Sequence, residues 1–386
     1  MTRTEQTTPR IAIVLPPREG AGPGRAGAVY LIARQFAETP GFRAVMIGGP
    51  QDTEPPPPFQ QIRPPWWPLG SINTRYAHAV ARSLRPLNPA LTPAPNPALI
   101  PALPAALIEV HNRADVALAL ARRLPDIPIS LFLHNDPQAM RGARTPADRA
   151  RLLDRFARVV LVSDYLRALL LDGIATPPRH PPVVIHNCID LAAIPAAGPR
   201  EPLILFVGRV VADKGTDSFV AACAAALPRL PGWRAEIIGA DRFRADSPET
   251  AFTRRVRAAA QPAGVRLLGY QQRTPTLEAM ARAAIVVMPS RWAEPFGLTA
   301  LEAMACGAAL ICSPRGGLPE VAGDAALYAD PENPAEIAEA IVALARDDPR
   351  RAALAAAGRE RARRFDRPLA QAQVAALRHE ILSGGD

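Results

Sequence analysis

The stretch "AIVVMPSRWAEPFGLTALEAMACG", residues 284–307, decides the fold. A β-branched apolar run over 284–290 gives way to a loop, and an alanine- and leucine-rich helical pattern begins near Phe296 or Gly297. Gly307 ends that helix. A strand feeding a helix through a short loop is the unit from which parallel sheets are built. The first-turn amides of Gly297, Leu298 and Thr299 have no intrahelical partners and carry the positive end of the helix dipole. The expected result is an anion site at the carboxyl edge of a parallel sheet, where ligands bind in such folds. Glu294, before the helix, and Glu302, on it, would repel a phosphate. They suit hydroxyl groups on either side of one, or else a helix-start acid and a solvated helix glutamate.

The strand–turn–helix pattern recurs in "FVGRVVADKGTDSF", residues 206–219. Here a strand closes on Gly208, Arg209 follows, and Lys214 stands at a helix start. Lys214 is the only lysine; the rest of the 45 basic residues are arginine. Part of that bias is background in an Ala-, Arg- and Pro-rich chain. A diphosphate at the sheet edge nevertheless gives a compact ammonium a specific use. Arginine's planar fork grips two oxygens, whereas an ammonium approaches as a point charge beside a group already held by amides.

Working outward, the alternation continues in both directions. Strands are expected at 203–208, 234–239, 265–269, 284–290, 309–313 and 326–330, with helices near 214–226, 248–259, 274–282, 297–306, 317–322, 334–346 and 349–364. The first half reads the same way, with strands at 10–16, 43–48, 106–112, 128–135, 158–163 and 182–187 and helices at 26–38, 72–85, 114–123, 147–156 and 164–171. The expected architecture is α/β, with two Rossmann-like parallel-sheet domains facing across a cleft. Their expected bounds are 1–195 and 196–366, followed by a closing helical segment, 367–386, that could cross back to the first domain.

Residues 53–105 depart from the pattern, because their prolines exclude regular helix except near 72–85. Trp66 and Trp67 in this stretch either touch a lipid or an acceptor or cover core. "GPGRAG", 22–27, matches G-x-G-x-x-G but lies well beyond the end of the first strand, and the second strand lacks an acid at its tip. Gly24 and Gly27 are therefore read as a glycine loop over a cleft, not as a dinucleotide fingerprint.

Mean hydropathy is +0.02 and 48% of residues are apolar, as in a soluble globular chain. The net charge of +9 sits mostly in residues 1–195, where 21 arginines face 14 acids. Such a surface suits an anionic membrane or a phosphorylated substrate, or is simply arginine-rich. Cys188, Cys223, Cys306 and Cys312 form no C-x-x-C pair, so neither a disulfide framework nor a zinc site is expected. No apolar signal core or span is legible in the sequence. The expectation is a cytoplasmic protein, with peripheral contact at the inner face of the plasma membrane as an option.

Taken together, "GRVVADKG", "EIIG", "LLGY", "PSRWAEPFGLTALEAMACG" and "PRGGLPEV" resemble the retaining family 4 glycosyltransferases of the GT-B fold. Glu294 and Glu302 match that family's E-x7-E signature. In the first half "LPPREG", "IEVHNR", "LFLHNDPQAMRG", "VLVSDYLR" and "VIHNCIDL" match less sharply, the last with Cys188 and Ile189 in place of the usual pair. The resemblance implies that Arg209 and Lys214 bind the donor diphosphate, Glu302 the ribose and Glu294 the transferred sugar. It implies a phosphate and sugar cradle from the backbone at Phe296, Gly297, Leu298 and Thr299, with Arg291 and Tyr270 on the base or sugar side. It further implies an active-site histidine at His134, preferred over His111, and places Gly24 and Gly27 in the closing loop.

The implied activity is transfer of a sugar, with retention, from a nucleoside diphosphate sugar to a glycan or lipid-linked acceptor in cell-envelope polysaccharide or lipopolysaccharide synthesis. No metal, cofactor or nucleic acid is expected, since no DxD stands at a strand tip in the cleft. The alternatives are a nucleotide-sugar 2-epimerase of the same fold and a non-catalytic nucleotide-sugar-binding protein.

Overall fold

The computed structural model describes residues 8–21, 27–51, 56–66, 70–85, 105–196, 198–242 and 246–384. The chain divides into two units, Met1–His186 with Ala370–Asp386, and Asn187–Leu369. Gly24, Trp67 and most of the second half of the proline-rich segment lie outside the described residues.

The first unit runs β1 (Arg10–Val14), α1 (Ala28–Ala37), β2 (Arg43–Gly48), β3 (Phe59–Gln61), α2 (Ile72–Leu84) and β4 (Leu107–His111). It continues with α3 (Ala114–Arg123), β5 (Ile129–Leu133), α4 (Pro146–Arg155), β6 (Arg158–Leu161), α5 (Asp164–Leu171) and β7 (Val183–Val184). All seven strands are parallel, in the order β3-β2-β1-β4-β5-β6-β7. β4 and β5 are buried at every position, as central strands covered on both faces must be. The edge strand β3 was not legible in the sequence. Three residues between prolines carry no period, and pairing with Met46–Gly48 makes them a strand.

The second unit runs β8 (Glu201–Val207), α6 (Thr216–Ala226), β9 (Arg234–Ile238), α7 (Ala251–Ala260), β10 (Val265–Gly269), α8 (Arg273–Arg282) and β11 (Ala283–Met288). It continues with α9 (Leu298–Ala305), β12 (Ala309–Cys312), α10 (Leu318–Ala322), β13 (Ala326–Tyr328), α11 (Pro334–Arg346) and α12 (Asp348–Ala362). Its six parallel strands take the order β10-β9-β8-β11-β12-β13. β11 is buried throughout, and Ile285 and Val287 join Phe206, Phe219 and Ile341 in one apolar core.

The last helix, α13, spans Arg367–Leu382, and its residues from Ala370 count with the first unit. There Gln371 Nε2 donates to Gln35 O at 2.7 Å. Arg378 donates to Glu109 from Nε at 2.7 Å and Nη2 at 2.8 Å, with both side chains at 0% exposure. A fully buried pair of this kind holds only because its fork geometry satisfies both carboxylate oxygens. The four cysteines are free and buried.

Candidate active site

In open α/β sheets the ligand crevice forms where the strand order reverses, outside the carboxyl ends of the strands. In the second unit that point lies between β8 and β11. The loop after β8 carries Gly208, Arg209 and Lys214, and the loop after β11 carries Ser290, Arg291 and Glu294. Topology thus brings together two stretches eighty residues apart in sequence.

The segment around Lys214 is not the continuous helix start that its sequence pattern implies. Ala212–Lys214 forms a 3-10 turn, Gly215 takes a left-handed conformation (φ 65°, ψ 28°), and α6 begins only at Thr216. A Cβ at 215 would lie 1.9 Å from Pro289 O, so the position needs glycine for both its dihedrals and its close approach to β11. The loop after β11 fastens the turn: Trp292 N donates to Asp213 O at 2.9 Å and Arg291 Nη1 to Ala212 O at 2.9 Å. Lys214 Nζ then reaches Glu294 Oε1 in an ion pair, and the buried Ser290 hydroxyl donates to the same oxygen at 2.8 Å. Lys214 is one-fifth exposed and Glu294 about one-tenth, so the ammonium is held at the surface of the site and not sealed in it.

Glu294 is placed by backbone as well. It bridges Gly316, and Gly317 N donates to Glu294 O at 2.6 Å. Gly316 has φ 65°, and a Cβ there would meet Glu294 O at 2.3 Å, which explains the Gly-Gly of "PRGGLPEV". α9 follows Gly297, with Ala300 N donating to Gly297 O at 3.0 Å. The amides of Leu298 and Thr299 have no partner within the helix. Phe296 is buried edge-on against Phe365, ring centroids 5.6 Å apart, so only its backbone can serve a ligand.

Two expected site residues are already engaged inside the protein. Arg291, expected on the base or sugar side, uses all five N–H groups, donating to Glu332, Ala212 O, both Asp217 oxygens and Ser218 Oγ at 2.6–3.1 Å. It holds the Lys214 turn instead. Glu302 pairs through Oε1 with Arg273, the first residue of α8. Burial pushes its carboxyl up, against the opposing pull of Arg273. Tyr270, between β10 and α8, is half-buried with its hydroxyl also pushed up by burial.

The first unit places His134 just past the carboxyl end of β5, 7% exposed, with Nε2 2.9 Å from Nδ1 of the fully buried His111. Preference for one histidine over the other is thus replaced by a pair. His111 stacks on Phe132 at 4.7 Å and 6°. Burial pushes the imidazolium of His134 down to about 4 and that of His111 well below the usual range, so both rings are neutral near pH 7. Gly27 precedes α1, whose mouth is filled by Glu19: Oε1 accepts from Tyr30 N at 3.1 Å. Burial raises the Glu19 carboxyl, opposed by the amides of Tyr30 and Val29. Sequence reasoning missed Glu19, Ser290, Arg273 and the role of His111. The one available signal for His111 was its placement at a strand end matching that of His134.

Residues 191–361 match the glycosyl transferases group 1 family. A glycogen synthase from Mycobacterium tuberculosis is 36% identical over 178 residues, which is 43% of this chain and 40% of that protein. The lipopolysaccharide core biosynthesis mannosyltransferase LpsB from Rhizobium meliloti is 30% identical over 207 residues, 52% of this chain and 57% of that one. The chain thus spans about half the length of the curated relatives it matches. Anabaena HepE, solved with UDP-glucose, shares the fold with TM-score 0.71 at 18% identity, covering 96% of this chain and 99% of that one. The architecture is therefore of the GT-B type, two Rossmann-like parallel-sheet domains, and the match to the group 1 family falls within its second unit.

Proposed function

We propose that the protein is a glycosyltransferase that moves a sugar from a nucleoside diphosphate donor to a glycan or lipid-linked acceptor with retention of configuration. The observation that carries this reading is the Lys214–Glu294 pair at the switch point of the second sheet, beside the open first turn of α9. A diphosphate arriving there exchanges a carboxylate partner for phosphate oxygens at Lys214. Glu294, released from the ammonium and still held by Ser290, is then free to accept from sugar hydroxyls. Glu302 takes the ribose hydroxyls in this reading, which the Oε2 left outside the Arg273 pair supports.

In transfer, the anomeric C–O bond of the donor breaks and its electron pair goes to the diphosphate. Lys214, Arg209 and the α9 amides stabilise that charge, which is the largest demand of the reaction. The acceptor hydroxyl attacks the same face, and its proton passes to the departing phosphate oxygen. This chemistry asks no metal or cofactor of the chain. HepE and the group 1 match support the donor class; the mannosyltransferase LpsB supports an envelope glycan as acceptor. Among the described residues no helix is long and apolar enough to cross a membrane. With the arginine-rich first half, this fits a cytoplasmic enzyme meeting a lipid-linked acceptor at an anionic surface.

Thermal-shift titration against UDP, GDP, ADP and dTDP, followed by hydrolysis of the matching donor sugars, tests the reading. One diphosphate should stabilise the wild type, and Glu302→Gln should weaken its binding roughly tenfold, the scale of one lost hydrogen bond to a charged group. No stabilisation by any diphosphate would overturn the assignment. Binding without turnover on any acceptor would leave a nucleotide-sugar-binding protein.

A further inference from the structure

Glu109 and His111 alternate with Ile108 and Val110 along β4 and so share one face of the sheet. Arg378 covers that face from α13, using Nε and Nη2 on Glu109. Its Nη1 is buried with no partner, and so is His111 Nε2. Two buried polar atoms left over on one face are a cost unless they complement each other. His111 Nδ1 is taken up by His134, and Arg378 is near enough for its charge to act on the His111 ring. Since a guanidinium N–H can only donate, the state of His111 Nε2 that suits the nearby cation is a bare lone pair. The opposite tautomer would add a second buried N–H with no acceptor among the described residues.

The consequence passes along the chain of groups. A neutral His111 with Nε2 bare carries its proton on Nδ1. Nδ1 lies 2.9 Å from His134 Nε2, which must then accept. His134 is also neutral, so its own proton is on Nδ1. That nitrogen has no protein partner among the described residues, while the backbone amide of His134 is fixed on Asn112 Oδ1 at 3.3 Å.

We propose that the proton positions on the two rings are set from the C-terminal helix: Arg378 keeps the lone pair on His111 Nε2, His111 Nδ1–H donates to His134 Nε2, and His134 thereby presents Nδ1–H as a hydrogen-bond donor at the sheet edge. His111 and Arg378 are positioning residues. If the glycosyltransferase reading above holds, a proton already on Nδ1 means that this nitrogen of His134 can donate to a ligand oxygen but cannot act as a base.

The test needs no substrate, so it fails or succeeds independently of that reading. Two-bond ¹⁵N–¹H spectra of the full-length protein, labelled at histidine nitrogens, identify the protonated nitrogen on each ring. The expected wild-type result at pH 7 is a single tautomer on both rings, Nδ1 protonated and Nε2 bare. An Nε2–H signal on either ring would overturn the proposal. The Glu109→Gln/Arg378→Met double variant removes both buried charges together and avoids stranding a carboxylate. It should lose the single tautomer at both rings, and unchanged spectra in the folded variant would show that Arg378 is not the source. In His111→Phe, which keeps an aromatic ring beside Phe132, His134 should show both tautomers; His111→Asn, with an amide donor in place of Nδ1–H, should restore Nδ1–H alone.

Discussion

At the carboxyl ends of β4 and β5 two histidine rings share a hydrogen bond in a setting so buried that both stay neutral. At the ends of β8 and β11 a lysine and a glutamate form an ion pair at the margin of solvent. The strands beneath are alike: parallel, mostly buried, and reversing order at a central pair. What differs is where charge has been placed. In the first unit it lies one layer down, in the sealed Glu109–Arg378 pair, and the edge shows a neutral group. In the second it stands at the edge, within reach of solvent. An ion pair with 0% exposure is tied into the fold and cannot be exchanged for a ligand, whereas a pair one-fifth and one-tenth exposed can be.

That contrast can be broken first at its buried member. Arg378→Met should destabilise the first unit by roughly 3–5 kcal/mol, because Glu109 is left as an unpaired buried charge. Urea unfolding followed by far-UV circular dichroism measures it, and a loss under about 1 kcal/mol would mean that the pair is hydrated in solution. Lys214→Ala makes the opposite kind of break. It should leave the melting curve nearly unchanged and lower turnover roughly a hundred- to a thousandfold, the range for losing one preorganised donor to a departing anion. Full turnover by a correctly folded variant would remove charge neutralisation from the mechanism.

The neutral edge gives a pH signature. His134 is held down to about 4 when folded against about 6.5 when unfolded. Between those values the unfolded chain binds the extra proton, so its stability contribution is complete above about 6.5 and is lost as pH falls towards 4. The loss is on the order of 3 kcal/mol for this one ring, from 1.36 kcal/mol per pH unit. His134→Gln should flatten the melting temperature over that window; an equally steep profile would place the titration elsewhere. The smallest effect is expected at Arg291→Met. Its partners Asp217 and Glu332 are largely exposed, so stability should change by less than about 1 kcal/mol. Turnover should fall roughly tenfold as the Lys214 turn loosens. A loss as large as that of Lys214→Ala would mean that the guanidinium meets the donor itself.

Lys214 could be singled out in the sequence as the only lysine, standing after a glycine-closed strand, and Glu294 and Glu302 by the E-x7-E spacing of the family they resemble. Strand and helix periods are local, and glycine breaks such as Gly208 and Gly307 mark their ends, so both sheets were legible apart from β3. Arg291 was legible as a loop cation but not as a fastening. Its saturation depends on Asp217 and Glu332, 74 and 41 residues away, whose approach no local pattern records. Gly215 fell inside the helix expected over 214–226, while the chain needed it for the approach of Pro289 O.

The sequence alone therefore determined the two alternating series, the helix start after Gly297 and the chemical types of residue around it, because these follow from the spacing of apolar, glycine and charged positions along one segment. Tertiary structure alone decided which groups face each other: Lys214 with Glu294, Arg273 with Glu302, His111 with His134, and Arg378 with Glu109 across 269 residues. Ionisation and proton position depend on burial and on the neighbouring dipoles and charges. Those exist only once strands distant in the chain lie side by side.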